Sequence, residues 1–182
     1  MPPPYHRSLT IAGQIYDFPH LEPFQLVVAS QKVGRLLRIH VRFTTHCFSE
    51  GFDPTIHAQS AFTFPDAAGR PRVFSPVRYA LSRQLPDALR RLDHPKAQVR
   101  QTTQRRNWLH SIMVSSPAGP YHIFFELRRA PADERPLQDL NLTVESAYPQ
   151  DAAKPPPSVL GATSFLLLAG KIYKGEPTAT RR

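Results

Sequence analysis

Proline interrupts this chain so often that long helices have no room in it: twenty prolines fall among its 182 residues. Each one removes a backbone donor and fixes φ, which breaks a helix interior and keeps strands short. Short strands joined by turns, with a few short helices, are what such a sequence can build, and an all-helical fold is excluded. The length suits one domain, and 41% hydrophobic residues suffice to bury a core. The expectation is a single basic α+β domain over residues 1–175, with a mobile basic tail over 176–182 that ends Arg181-Arg182.

The clearest strand is Arg35 to His46, where Leu37, Ile39, Val41 and Phe43 alternate with Arg38, His40, Arg42 and Thr44. Leu9 to Tyr16 and Phe24 to Ser30 are further short strands. Ser60 to Phe64 and Arg72 to Phe74 read as a hairpin around Pro65-Asp66-Ala67-Ala68-Gly69. Ser75-Pro76 then opens a helix whose apolar stripe, Val77, Leu81, Leu85, Leu89 and Leu92, is kinked or split at Pro86. His94 to Arg106 is polar and basic, as in an exposed loop or frayed helix. Trp108 to Ser115, Tyr121 to Arg129, Leu140 to Tyr148 and Ser164 to Tyr173 read as four strands. The predicted architecture is an antiparallel sheet of about four C-terminal strands, preceded by a kinked helix and a strand-rich N-terminal extension.

A formal net charge of +9 favours a polyanionic partner, RNA above all, through release of condensed counterions. The same excess also serves solubility. Basic residues interleave with aromatics around Trp108, along Tyr121 to Arg129 and near Tyr173, a mixture that suits phosphate contact with base stacking. Arg38, Arg105, Arg106, Arg128, Lys171 and Lys174 are the candidate nucleic-acid contacts. Cys47 is the only cysteine, which rules out an internal disulfide and points to a reducing, cytoplasmic compartment. The N-terminus lacks the pattern of a signal peptide, and no run approaches the roughly 20 apolar residues of a membrane span, so no membrane partner is expected.

Read as a continuous strand, Arg38, His40, Arg42, Thr44 and His46 point to one face. Two guanidinium groups and two imidazoles side by side can hold a phosphodiester while a histidine moves a proton near neutral pH. The row reads equally as an ordinary solvated face. His122, Glu126 and Arg128 make a second same-face set, suited either to tuning a site or to a plain ion pair. Leu140, Leu142 and Val144 face the core, and the same face continues into Ser146 and Tyr148, where hydroxyl groups either line a cleft or simply end the strand before Pro149. Histidines are numerous, but neither a Cys-x-x-Cys pair nor a His-Glu-x-x-His helix is present, and no glycine-rich phosphate loop appears, so no metal and no other cofactor is expected. Cys47 falls on the apolar side of its strand, the place of a buried thiol more than of a nucleophile.

The helical stretch at Ser75 to Leu92 followed by four strands, together with Val144-Glu145-Ser146-Ala147-Tyr148-Pro149, resembles the barnase/EndoU/colicin/RelE-like endoribonucleases found among bacterial toxins and prophage proteins. The match covers Ser75 to Tyr173. It departs from the family at Glu145-Ser146, where threonine is more usual, and in the strand-rich residues before Ser75. The resemblance implies a metal-independent endoribonuclease in which Ser146 contacts phosphate, Tyr148 positions substrate or assists proton transfer, His46 or His40 is the base, and Arg42 stabilises charge. It also implies an inhibitory protein partner. Two other readings stand beside it: a non-catalytic nucleic-acid-binding or protein-interaction module of a mobile element, and a chain whose charge is directed at an acidic protein. Oligomeric state is not legible.

Overall fold

The computed structural model describes residues 3–58, 61–103, 107–115 and 117–179. Ser60, the candidate contacts Arg105 and Arg106, and the Arg181-Arg182 end of the expected tail lie outside the described residues. The strands are β1 (Leu9–Ile11), β2 (Gln14–Tyr16), β3 (Phe24–Ser30), β4 (Arg35–Phe43), β5 (Ser49–Gly51), β6 (Thr63–Pro65), β7 (Pro71–Phe74), β8 (Gln98–Thr102), β9 (Asn107–Ser115), β10 (Ala118–Arg129), β11 (Leu140–Pro149) and β12 (Val159–Ser164). The helices are α1 (Pro76–Ser82), α2 (Leu85–Arg90) and α3 (Phe165–Lys174). Pro86 falls at the start of α2 and divides the predicted helix in two.

The four-stranded antiparallel sheet with an N-terminal extension is corrected by this arrangement. Among the described residues strand outweighs helix, 43% against 19%, and the central sheet has seven strands in the order β12-β8-β9-β10-β11-β4-β3. It is mixed, because β11 pairs in parallel with β4. The reason lies in β4 itself. Its apolar row, Leu37, Ile39, Val41 and Phe43, is fully buried, and a buried strand of this length gains most where neighbours hydrogen-bond both of its edges, an internal place in the sheet. It finds that place beside β11, whose Leu140, Leu142 and Val144 are equally buried. Parallel neighbours need a long crossover, and residues 44–139 provide it.

Two further expectations change. Ser164 to Tyr173 is not a strand: Phe165, Leu168 and Ala169 are buried at helical spacing, Ser164 Oγ accepts the Leu167 N–H at 3.3 Å, and Gly175 ends the helix at φ 71°. The stretch after His94 is not only loop, since Val99, Gln101 and Thr102 are buried on β8 between β12 and β9. A small sheet, β5-β7-β6, and the β1–β2 hairpin complete the strands.

Leu81, Leu85, Leu89 and Leu92 join Phe165, Leu168 and the inner rows of the sheet in one core, with the ring of Phe165 6.0 Å from that of Phe125. Burying side chains of this size contributes about 1.5–3 kcal/mol each. The α3 helix sits so close to the β3–β4 turn that a Cβ on Gly170 would meet Ser30 Oγ and Lys32 Cβ, both at 2.9 Å. Gly170→Ala is therefore expected to lower the melting temperature: overpacking costs about 1–3 kcal/mol and outweighs the roughly 1 kcal/mol by which alanine favours a helix. A thermal melt at or above that of the parent would contradict this packing. No helix among the described residues is long and apolar enough to cross a membrane.

Candidate active site

His46 does not continue the β4 row. The strand ends at Phe43, and Thr44 caps a 3-10 turn, Thr45–Cys47, by accepting the His46 N–H on its side chain at 3.3 Å. This turn lifts the imidazole off the sheet and toward the β6–β7 hairpin. There His46 Nε2 lies 3.0 Å from Asp66 Oδ2. Asp66 is the turn residue of that hairpin, and its carboxylate also accepts the N–H groups of Ala68 and Arg70 at 2.9 Å and pairs with the Arg70 side chain. Burial opposes its charge, but these hydrogen bonds prevail and hold the carboxyl far below the usual carboxylate range. With Nε2 directed at Asp66, Nδ1 has no hydrogen-bond partner among the described residues. Burial holds the His46 imidazole below its ordinary value, against the opposing pull of the Asp66 hydrogen bond, so the ring is largely neutral at pH 7.

Across from His46, β11 carries a bulge. Its pairing with β10 jumps from Ser146 opposite Phe124 to Val144 opposite Phe125, leaving Glu145 as the extra residue. The consequence is a change of face. By strict alternation Ser146 and Tyr148 share the core face of Val144, as expected above; the bulge instead buries Ala147 and turns Ser146 and Tyr148 outward. The bulge is tied to the histidine turn, for Thr44 N donates to the Val144 carbonyl at 3.0 Å and Thr44 Oγ1 to the Glu145 carbonyl at 2.8 Å.

His46, Glu145, Ser146 and Tyr148 thus line one cleft of about 370 Å³, with Phe124, Thr102, Thr103, Asn107, Pro157 and Ser158 forming the rest of its wall. Burial, reinforced by the charge of Glu126, raises the Glu145 carboxyl, with Arg128 and Arg42 opposing. Burial likewise raises the Tyr148 phenol. Arg78 of α1 lies over the Tyr148 ring, 5.2 Å from its centre, and donates to the carbonyls of Ser49 at 2.8 Å and His46 at 3.4 Å. It links the aromatic side of the cleft to the histidine turn. Among the described residues, no group of three or more His, Cys, Asp or Glu side chains is gathered as a metal site would require.

The remaining sequence candidates are placed elsewhere. His40 pairs across the sheet with Gln25 and Asn141 and is not part of the cleft. Arg42 donates to Thr143 Oγ1 at 2.9 Å and lines a neighbouring cleft with Arg128, which meets the first at Glu145. Arg38 donates to the carbonyls of Arg135 and Pro136 and pairs with Asp139, so its cation is engaged by the loop before β11. Arg128 pairs with Glu126 at 2.7 Å. Lys171 and Lys174 ride on α3, whose Phe165 packs on the inner face of the sheet. His122 is held at both nitrogens, by Ser111 and Gln150, as a buried structural group. Asp66, Arg78 and Glu145 carry the geometry of the site, and sequence reasoning assigned none of them a role.

Cys47 is fully buried, and desolvation pushes its thiol up to about 12, which suits packing and not nucleophilic attack. Near it lies the Tyr121 hydroxyl, buried with no hydrogen-bond partner among the described residues. An unmet buried hydroxyl costs about 1–3 kcal/mol. Tyr121→Phe is accordingly expected to leave denaturant stability unchanged or to raise it, and a loss above ~1 kcal/mol would mean that the hydroxyl is satisfied.

A helix-backed mixed sheet with a His–Asp pair facing a bulged strand defines a strand-rich protein with a cleft lined by ionisable and hydroxyl side chains at the outer face of its sheet. The chain belongs to the YjaZ family, whose family model matches residues 8–173. That span takes in β4 and all of α3 but Lys174, so the whole sheet and the cleft fall within the family's region. Neither a curated protein nor a solved structure matches the chain.

Proposed function

We propose that the chain is a metal-independent endoribonuclease that cleaves RNA by attack of the ribose 2′-hydroxyl. One observation carries this reading: a neutral imidazole, oriented by Asp66 through one nitrogen and unpartnered at the other among the described residues, shares its cleft with Glu145, Ser146 and Tyr148. His46 Nδ1 takes the 2′-hydroxyl proton, and the 2′-oxygen attacks phosphorus. The bond from phosphorus to the 5′-oxygen breaks, leaving a 2′,3′-cyclic phosphate and a 5′-hydroxyl. Glu145, whose carboxyl keeps its proton to higher pH than an ordinary one, protonates the departing oxygen. Ser146 and Tyr148 hydrogen-bond the phosphate oxygens, and Arg42, across the Glu145 wall, balances charge on the next phosphate.

A purely binding role is less well supported. Among the described residues, the basic side chains named from sequence are divided between the sheet's outer face and α3, and Arg38 and Arg128 are already paired. The test is incubation of the purified chain with mixed RNA and DNA, with and without EDTA. Cleavage of RNA alone, unaffected by EDTA and leaving cyclic phosphate ends, is the expected result. Intact RNA between pH 5 and 9, with salt-sensitive binding, would return the chain to the non-catalytic reading.

A further inference from the structure

We infer that the cleft beside His46 is a nucleobase subsite for single-stranded nucleic acid, in which one base stacks on Phe124 and presents its edge to Asn107. The inference takes its substrate class from the ribonuclease reading and is independent of the chemistry.

Phe124 is the aromatic residue whose position most needs explaining. Its neighbours Ile123 and Phe125 are fully buried in the core, whereas Phe124 stands on the outer face, partly exposed and lining the cleft. It continues a column. Arg78 lies over Tyr148, and the Tyr148 and Phe124 rings stack with centroids 5.2 Å apart and planes 21° apart. His122 packs at a steep angle to both rings, 6.4 Å from Phe124 and 6.2 Å from Tyr148, so Phe124 ends the stack of parallel rings where it lines the cleft. A flat, weakly hydrated aromatic ring fits that place, and every nucleobase offers one.

The wall on the neighbouring strand β9, where Asn107 pairs with Glu126, supplies hydrogen-bonding groups. Asn107 opens β9, and its backbone carbonyl is fixed by Thr102 Oγ1 at 2.9 Å. Its side-chain amide has no partner among the described residues, leaving two donors and an acceptor for a base edge. Thr103 N donates to the Ser158 carbonyl at 3.4 Å and closes that wall. At about 370 Å³ the cleft lies near the lower end of small-ligand sites, roughly 300–1,000 Å³. Such a space admits a single splayed nucleotide and excludes a duplex, whose bases are stacked and paired.

The test uses the full chain and fluorescein-labelled single-stranded decadeoxynucleotides of A, C or T, with an abasic strand of the same length, read by fluorescence anisotropy. DNA lacks the 2′-hydroxyl, so binding is measured without turnover. The abasic strand is expected to bind roughly 10-fold or more weakly, in line with the energy of one base–aromatic stack. Phe124→Ala should bring the other strands down to that level, Phe124→Trp should retain their affinity, and Asn107→Ala should change their ranking. Equal affinity for abasic and base-containing strands would overturn the subsite, as would a folded Phe124→Ala chain that binds like the parent. Should that variant not fold, photocrosslinking of 5-iodouracil DNA to the unaltered chain replaces it: adducts on Phe124 or Tyr148 support the subsite, and adducts confined to other segments refute it. Base-dependent binding with intact RNA leaves the subsite standing and removes the ribonuclease reading. RNA cleavage whose KM is untouched by Phe124→Ala does the reverse.

Discussion

RNA incubated in EDTA with the His46→Ala variant is expected to remain intact, a loss of about 10²–10⁴ in rate, which is what a positioned general base contributes. Asp66→Asn should cost nearly as much: with the amide oxygen kept on the Ala68 and Arg70 N–H groups, its NH2 takes the place of Oδ2, donates to His46 Nε2 and leaves the ring proton on Nδ1. Its signature is in the pH profile. The imidazole loses its role when it is protonated, and burial already holds it below its ordinary value of about 6.5. The acid limb of kcat/KM should therefore fall below that value. Asp66 works in the opposite direction and favours the imidazolium, so its removal moves the acid limb to still lower pH while reducing the maximal rate. Glu145→Gln, which removes the proposed proton donor, should abolish the alkaline limb. An acid limb that does not move in Asp66→Asn would show that the 3.0 Å contact in the fold is not carried into the reacting complex.

Much of the scaffold was legible because it rests on period-two patterns. The alternation in β4, the apolar rows of β10 and β11, and the hairpin around Asp66 all follow from residues a strand buries on one face. What those patterns could not supply was strand order, since nothing local says that β4 inserts beside β11. The helix α3 was misread because Phe165 to Ala169 is apolar throughout, and such a run satisfies either period. Its ends were the better guide, with Ser164 as cap and Gly175 in the left-handed region. The site was harder for a related reason. Alternation placed His46 in a row with Arg38 and Arg42, yet the row stops at Thr44; it placed Ser146 and Tyr148 with the core, yet one extra residue in β11 reverses both. A single bulge inverts every residue beyond it, and no composition signal announces it. Asp66 reads in sequence as a turn residue, and its second role exists only once the hairpin folds back over 20 positions.

The largest loss of stability is expected from Asp139→Ala. Asp139 is 5% exposed, and its carboxylate accepts from Arg35 Nη2 and from the Arg38 N–H, each at 2.8 Å, with Arg38 Nε 3.6 Å away. Its backbone joins the same seam, donating to the Arg38 carbonyl at 2.7 Å and accepting from Ala130 N at 3.0 Å. These bonds clamp the end of the loop before β11 to β4, immediately ahead of the parallel register that pairs Leu140 with Ile39. Breaking a buried pair by removing one partner costs about 3–5 kcal/mol, and the half-exposed Arg35 side chain lowers the expectation to about 2–4 kcal/mol because solvent screens it. For a chain of this length that is a fall in Tm of about 5–15 °C. The pH dependence has a definite sign. Burial opposes the charge, but Arg35 and the Arg38 N–H hold the folded carboxyl below its usual range. A carboxyl with a depressed folded value stabilises fully above its unfolded value, about 3.9, and loses that contribution as pH falls through the folded one. Urea melts of parent and variant should therefore differ most near neutral pH and converge toward pH 2. A difference that persists unchanged in acid would assign the loss to packing alone. Because Asp139 is no part of the cleft, the folded fraction of the variant should retain the parent's cleavage rate, which separates the clamp on the sheet from the chemistry beside His46.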